Sequence, residues 1–167
     1  CSAMLRTLQT TAPIARSLNL NPTVWLDVHE SGGIWLDEND DRGPLGLPGL
    51  GRPEIEKRFP GFILPDGIKK EGWWGEARET HKQMMDRALR VAKEIQARFS
   101  DTDERVAIVS HGGFISGLVE TLVQNDPRDG VKFNNHNTAI NRLEISEGSL
   151  SIRYLNRVEH LTQDLIT

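Results

Sequence analysis

A chain of 167 residues is long enough to form one domain with a buried core, and its net charge of −4 argues against a nucleic-acid-binding or anionic-membrane surface. No apolar run approaches the length that spans a bilayer. The single cysteine, Cys1, excludes an internal disulfide and favours a reducing compartment, so we predict a cytoplasmic protein with one domain over residues 1–167.

The start of the chain allows two interpretations. It does not begin with methionine, and its first residues contain no targeting pattern. Cys1 could be the lipidated first residue of a mature lipoprotein. We favour a fragment instead, because the residues that follow look like the middle of a domain whose first strand or strands are missing.

The first predicted element is a helix over residues 5–18, with apolar residues at helical spacing: Leu5, Leu8, Ala12, Ala15 and Leu18. Pro13 lies inside this pattern and is expected to kink or split the helix, or to open a second segment. Arg6 falls in the first turn, where a cation opposes the helix dipole. It is either a surface cation or a residue placed to hold an anion.

Residues 24–28 form a short apolar run that predicts a buried strand, which ends at His29 and Glu30 before two glycines. A glutamate in a turn is usually solvated. A glutamate that points into a crevice can instead donate a proton to a substrate. Glu30 is therefore a candidate general acid.

Residues 31–75 differ in composition, because they contain ten of the fifteen glycines and five of the eight prolines. A long irregular excursion is typical of a cap over a site or of a mobile loop, and residues 53–59 could form a short helix within it. The acidic run 37–41 is more simply a solvated loop than a metal site, since it shows no recognisable ligand spacing. Trp73 and Trp74 either line a pocket or pin the excursion to the core, and we favour pinning.

The clearest predicted helix covers residues 76–99, which carry an apolar stripe: Met84, Ala88, Ala92, Ile95 and Phe99. Residues 106–110 then form an apolar run that leads into His111 and Gly112, and a helix-like run follows over 114–123. This pattern indicates a parallel strand, a tight turn and a helix N-terminus, where backbone N–H groups favour an anion. His111 is either a satisfied histidine at a strand end or a ligand-binding group.

The C-terminal part is predicted to be an antiparallel hairpin. After a turn at 126–130, strands are predicted at 138–145 and 150–154, joined by a loop at 146–149. Together the elements predict an α/β fold in three layers, α/β/α, with a mostly parallel sheet, helices on both of its faces and this hairpin at the end.

Three candidate residues share one edge of the predicted sheet. Glu30 and His111 follow strands, and Arg6 would follow one of the missing strands, so all three lie where α/β sheets usually bind ligands. A cation, a carboxyl group and an imidazole at such an edge suit phosphoryl transfer, which needs charge stabilisation and protonation of the leaving oxygen.

Several short motifs, in order along the chain, resemble those of the histidine phosphatase superfamily, the phosphoglycerate-mutase-like fold. Residues 2–10 resemble its Ser-Pro-x-x-Arg-x-x-Gln-Thr motif, with Ala3 in place of the usual proline. Ser-His-Gly-Gly at 110–113 resembles its second-histidine motif, residues 136–144 its Asn-Thr-x-Ile-x-x-Leu strand, and residues 154–161 its closing segment. Several motifs in register are stronger evidence than any one of them.

The resemblance implies a set of site residues. Arg6 would clamp the transferred phosphoryl group, and His111, as an imidazolium, would stabilise its charge. Gly112 and Asn137 would complete the phosphate site, and Glu30 would be the general acid. The implied partner is a phosphorylated small molecule, and no cofactor or metal is implied, because arginine and histidine supply the positive charge.

A rival acid is Glu76, which is predicted to open a helix after Gly75. It ranks below Glu30, which follows a strand as the family's acid does.

The family's nucleophile lies in an Arg-His-Gly motif, and no Arg-His-Gly occurs in the 167 residues. We therefore expect the parent protein to be a phosphomonoester hydrolase that acts through a phosphohistidine, and this chain alone to be inactive. The alternatives are a phosphoglycerate-mutase-type phosphotransferase and a non-catalytic phosphate-binding or scaffold protein. A metal-dependent hydrolase built from His111, His136, His160 and residues 37–41 is disfavoured, as no two histidines share ligand spacing.

Overall fold

The computed structural model describes residues 1–37, 43–123, 132–146 and 148–167. The predicted turn at 126–130 and residues 38–41 of the predicted acidic loop lie outside the described residues. The chain forms two compact units, which are Cys1–Met84 with Ala107–His111 and Met85–Val106 with Gly112–Thr167.

The elements are four α-helices and four strands among the described residues, a mixture consistent with the predicted α/β class. The helices are α1 (Leu5–Leu18), α2 (Arg52–Arg58), α3 (His81–Phe99) and α4 (Gly112–Val123). The strands are β1 (Trp35–Leu36), β2 (Leu45–Gly46), β3 (Ile140–Ser146) and β4 (Ser149–Arg157). Short 3-10 helices occur at Leu26–Val28 and Gln163–Leu165.

Helix α1 occupies the predicted residues, but the predicted split at Pro13 is wrong because the helix continues through this residue. Proline removes one backbone N–H, which in a helix would bond the carbonyl of Gln9. The buried face of α1, formed by Leu8, Thr11 and Ala15 among others, supports the helix on both sides of that gap. Asn19 ends the helix in the left-handed conformation, with φ of 54°.

The predicted strand at 24–28 is wrong. Thr23 makes an isolated parallel bridge with Ile63, and the chain then turns into the 3-10 helix Leu26–Val28. Residues 106–110 are likewise not a strand, although the N–H of Ser2 donates to the carbonyl of Val109 at 3.0 Å. Both runs are apolar as a strand requires, but an apolar run becomes a strand only where neighbouring backbone supplies a continuous ladder of hydrogen bonds.

The described strands form two antiparallel pairs, β1 with β2 and β3 with β4. The three-layer arrangement with a mostly parallel sheet therefore stays a prediction.

The excursion at 31–75 contains regular structure in addition to its loops. Trp35 pairs with Gly46 and Leu36 with Leu45, which makes a short ribbon. The predicted short helix is confirmed as α2, Arg52–Arg58, which has a proline in its first turn as helices often do. Ile55 on α2 is fully buried in a core cluster with Ala3, Leu8, Val24, Phe59 and Ile68. This cluster fastens the excursion to α1.

Helix α3 begins at His81, five residues later than the sequence pattern predicts. Thr80 and Gln83 set its start, because each side chain accepts a hydrogen bond from the backbone N–H of the other. This reciprocal pair is a capping box, which satisfies two N–H groups at the end of a helix. Glu76 consequently lies before the helix, so the prediction that it opens a helix is wrong.

We expect Thr80→Ala to destabilise α3 by about 1 kcal/mol, because it removes the hydroxyl that accepts from Gln83. Thr80→Ser keeps the hydroxyl and should retain most of that stability. Denaturant unfolding followed by far-ultraviolet circular dichroism is a suitable measurement, since it reports the loss of helix and most of α3 belongs to the second unit, whereas all four tryptophans belong to the first. Equal losses for the alanine and serine variants would contradict a capping role.

The C-terminal hairpin is confirmed with shifted strand ends: β3 covers Ile140–Ser146 instead of 138–145, and β4 covers Ser149–Arg157 instead of 150–154. Leu143 pairs with Ile152, and the pairing continues to Ser146 with Ser149. The predicted four-residue loop is therefore shorter, since its outer residues belong to the strands, and residue 147 lies outside the described part. Across the hairpin the guanidinium group of Arg153, with that of Arg142, holds the pKa of the Glu144 carboxyl group below its ordinary value.

Candidate active site

Arg6 and His111, 105 residues apart, are joined by a direct hydrogen bond in the first unit. Arg6 Nε donates to His111 Nδ1 at 3.0 Å. A guanidinium group can only donate, so Nδ1 carries no proton in this arrangement. The other ring nitrogen, Nε2, lies 3.0 Å from Ser2 Oγ and can donate to it. His111 Nδ1 thus acts as an acceptor for Arg6 in this arrangement, whereas the family resemblance implies an imidazolium when phosphate is bound.

Glu30 lies on the other side of the same arginine. Arg6 Nη2 is 3.6 Å from Glu30 Oε2, and Glu30 Oε1 accepts a hydrogen bond from the N–H of Ser31 at 2.9 Å. The Arg6 side chain is 62% exposed and that of Glu30 27% exposed, while His111 is buried. A solvent-accessible guanidinium thus contacts a buried imidazole and a partly exposed carboxyl group.

Hydrogen bonds to backbone carbonyls explain why three distant segments meet at this point. The N–H of Ser2, three residues before α1, donates to the carbonyl of Val109, just before His111. Ser110 Oγ donates to the carbonyl of Val28 at 2.7 Å, which fixes the segment that leads to Glu30. Thr7 Oγ1 donates to the carbonyl of Met4 and holds the first turn of α1, which carries Arg6.

A buried cluster braces the turn that carries Glu30. The His29 ring lies against Trp73 and Trp74, with centroid distances of 5.7 and 4.8 Å. Its Nε2 is 3.9 Å from Glu79 Oε2, and both side chains are less than a tenth exposed. Glu79 also accepts a hydrogen bond from the N–H of Gly32 and donates its own N–H to the Gly32 carbonyl. The position of Glu30 is therefore coupled to the cluster His29–Trp73–Trp74–Glu79.

A cavity of about 500 Å³ opens beside Arg6 in the first unit. Its described lining comes from α1, from the two residues before it and from the excursion, and comprises Ala3, Met4, Leu5, Arg6, Gln9, Gly33, Ile34, Trp35, Gly49, Leu50 and Trp73. Volumes of this size are typical of small-molecule sites. Trp73 both lines this cavity and packs on His29, so lining a pocket and pinning the excursion are compatible for this residue. Trp74 packs against His29 and Gly33.

An arginine that lines a cavity and also contacts an imidazole and a carboxyl group fits the motifs in the sequence. The family model of the histidine phosphatase superfamily (branch 1) matches residues 1–158 of the chain. The chain belongs to the histidine phosphatase superfamily. The resemblance found in the sequence is therefore confirmed, and membership indicates activity of the phosphatase or mutase type on phosphorylated small molecules. Comparisons with curated proteins and with solved structures gave no match.

Two further predicted phosphate-binding residues, Gly112 and Asn137, belong to the second unit. Gly112 is the first residue of α4. Asn137 Nδ2 donates to Thr167 Oγ1 at 2.7 Å, and the Asn137 N–H donates to the Thr167 carbonyl at 3.0 Å. The structure therefore brings Arg6, Glu30 and His111 together within the first unit, and the roles of Gly112 and Asn137 stay predictions.

Within residues 1–37, 43–123, 132–146 and 148–167, no group of three or more His, Cys, Asp or Glu side chains is placed to hold a metal ion. In the same described ranges, no helix is both long and apolar enough to cross a membrane.

Sequence reasoning missed Glu79. It lies just before α3 in a polar run, 50 residues from His29, and nothing in its local pattern signals a buried carboxylate. Ser2 was included in a motif only as a match to the family pattern, although it contacts His111 directly. Its position at the start of that motif was the available signal.

Proposed function

We propose that the parent protein hydrolyses phosphate monoesters through a phosphohistidine intermediate, and that Arg6, His111 and Glu30 supply its charge stabilisation and proton transfer. The observation that carries this proposal is the contact of one arginine with both other groups. Phosphoryl transfer depends mainly on positioned positive charge and on protonation of the leaving oxygen, and these three residues are chemically able to provide both.

Arg6 would exchange its partners when a phosphoryl group arrives. Its Nε and Nη2 atoms now face His111 and Glu30, and a phosphoryl group offers oxygens that fit the same fork of donors. His111 Nδ1, no longer an acceptor for Arg6, would take up a proton and donate to a phosphoryl oxygen. Glu30, released from Arg6, would take up a proton from solvent and lie beside the leaving oxygen of the ester. Anion binding and protonation of His111 are therefore linked in this proposal.

The proposed reaction has two steps. A histidine nitrogen attacks phosphorus, the P–O bond of the ester breaks, and the alcohol oxygen takes a proton from Glu30. Water then attacks the phosphorus of the phosphohistidine and gives a proton to the Glu30 carboxylate, and the P–N bond breaks to release inorganic phosphate and restore the histidine. The attacking histidine would come from an Arg-His-Gly motif, which is not among these 167 residues.

A polypeptide of these 167 residues is therefore expected to bind inorganic phosphate but not to turn over p-nitrophenyl phosphate. The measurements are calorimetric titration with phosphate and release of p-nitrophenol over many hours. Turnover that disappears in His111→Ala would contradict the assignment of roles, because it would show that the chain contains its own attacking group.

A non-catalytic phosphate-binding protein is the second candidate, and the absence of Arg-His-Gly from these residues favours it. The coding sequence upstream of Cys1 separates the two. If it encodes Arg-His-Gly, the longer protein should hydrolyse p-nitrophenyl phosphate and lose that activity when the added histidine becomes alanine. A longer protein without the motif that binds phosphate and leaves the ester intact would support the binding protein.

A further inference from the structure

We propose that the cavity beside Arg6 selects phosphate monoesters whose alcohol portion is apolar and about the size of a benzyl group. The inference rests on the proposed function, because it takes Arg6 as the group that holds the phosphoryl end. Arg6 lines the cavity and also contacts His111 and Glu30, so a ligand held at its phosphoryl group by Arg6 has this space directly beside it.

The chemical character of the residues that line the cavity indicates the class of substrate. Among the described lining residues, Arg6 is the only charged side chain and Gln9 the only one with an amide, and the others are apolar, aromatic or glycine. A phosphoglycerate would bring a carboxylate that needs a second cation, and a sugar phosphate would bring several hydroxyl groups. Polar groups that lose water without gaining partners weaken binding, whereas an apolar group gains free energy in proportion to the area it buries.

The walls of the cavity are built by close packing of the excursion. Gly49 has φ of 69°, and a Cβ there would lie 2.6 Å from Trp73 Nε1 and 2.8 Å from Ile34 Cδ1. Only glycine therefore lets Trp73 and Ile34 approach the backbone this closely. The Arg78 guanidinium carbon lies 4.2 Å from the centroid of the Trp35 ring and helps to hold a third wall. The predicted cap residues thus form a fixed apolar surface.

Binding of unreactive phosphonates by the 167-residue chain tests the inference, with benzylphosphonate, methylphosphonate and 3-phosphoglycerate as the probes. We expect benzylphosphonate to bind about 30-fold more tightly than methylphosphonate, because the ring buries apolar area against Ile34, Trp35 and Leu50. Ile34→Ala should reduce that ratio several-fold and leave methylphosphonate unchanged. Ile63→Ala is the matched control, since Ile63 is 55% exposed and does not line the cavity.

The outcomes separate the two proposals. Equal affinities for benzylphosphonate and methylphosphonate, both lost in Arg6→Ala, would overturn the proposal that the cavity binds an apolar group. The proposal that Arg6 binds phosphate would remain supported. Tighter binding of 3-phosphoglycerate would also overturn it, in favour of a mutase-type substrate. Failure of every phosphonate to bind the folded chain would instead refute the phosphate site itself. If Ile34→Ala lowers the melting temperature, Leu5→Ala on the exposed side of α1 provides a second variant of the lining.

Discussion

Replacing Arg6 with alanine is expected to weaken the binding of inorganic phosphate by about 100-fold while the melting temperature falls by only a few degrees. A hydrogen bond to a charged group contributes about 1.5–3 kcal/mol, and the guanidinium can supply two of them to one phosphoryl group. A loss of about 2.7 kcal/mol corresponds to 100-fold in affinity. The Arg6–Glu30 contact contributes little to stability, because the Arg6 side chain is 62% exposed and this contact is that of a surface ion pair. Loss of the donor to the buried His111 ring should cost about 1 kcal/mol.

Two further variants distinguish a clamp from a general cation. Arg6→Lys keeps the charge but not the planar fork, and we expect it to lose about tenfold in affinity. Arg16→Ala removes an exposed arginine from the last turn of the same helix and should leave phosphate binding unchanged. Titration calorimetry at low and at physiological salt measures the phosphate affinity of all three variants. Equal losses of affinity for Arg6→Ala and Arg16→Ala would mean that phosphate binding depends only on the net charge of the surface.

The candidate site could be predicted from sequence because its residues lie in motifs with fixed order. Arg6, Glu30 and His111 each lie near the start of a helix or the end of an apolar run, which are the places where chains of this kind present side chains to a ligand. The structure brings Arg6 into contact with both His111 and Glu30. Their chemical roles depend on bound phosphate and remain predictions.

Elements that depend on distant partners could not be predicted in the same way. The runs 24–28 and 106–110 have the apolar character of strands, but whether such a run joins a ladder depends on backbone elsewhere in the chain. Glu79 meets His29 only because the excursion folds back, and no local pattern encodes that return. The start of α3 is a different case. Thr80 and Gln83 match the sequence pattern of a capping box, so the N-terminus of the helix could have been predicted from them. The prediction used the apolar stripe alone and placed this N-terminus too early.

Trp74 and Glu79 fold back onto the turn that carries Glu30. Gly33→Ala, in this turn, is therefore the substitution with the largest expected effect on stability, a loss of about 3 kcal/mol in the free energy of unfolding. Gly33 has φ of 72°, a conformation that costs an alanine about 1–2 kcal/mol. A Cβ at this position would also overlap the Trp74 ring, which packs on His29, so the ring must shift or the turn must open. The Gly33 N–H donates to the Glu30 carbonyl, so the change acts directly on the turn that carries the candidate acid.

Gly43→Ala is the matched control, because Gly43 has a similar φ of 77° but a Cβ there meets no described atom within 4 Å. It should lose only about 1 kcal/mol, the cost of the backbone conformation alone. Urea unfolding followed by tryptophan fluorescence measures both variants, and the spectrum of folded Gly33→Ala should also change because Trp74 is displaced. Equal losses in the two variants would mean that the cluster His29–Trp73–Trp74–Glu79 does not pack against the Glu30 turn. The position of Glu30 would then depend on other contacts, such as those with Arg6 and the Ser31 N–H and the Ser110–Val28 hydrogen bond.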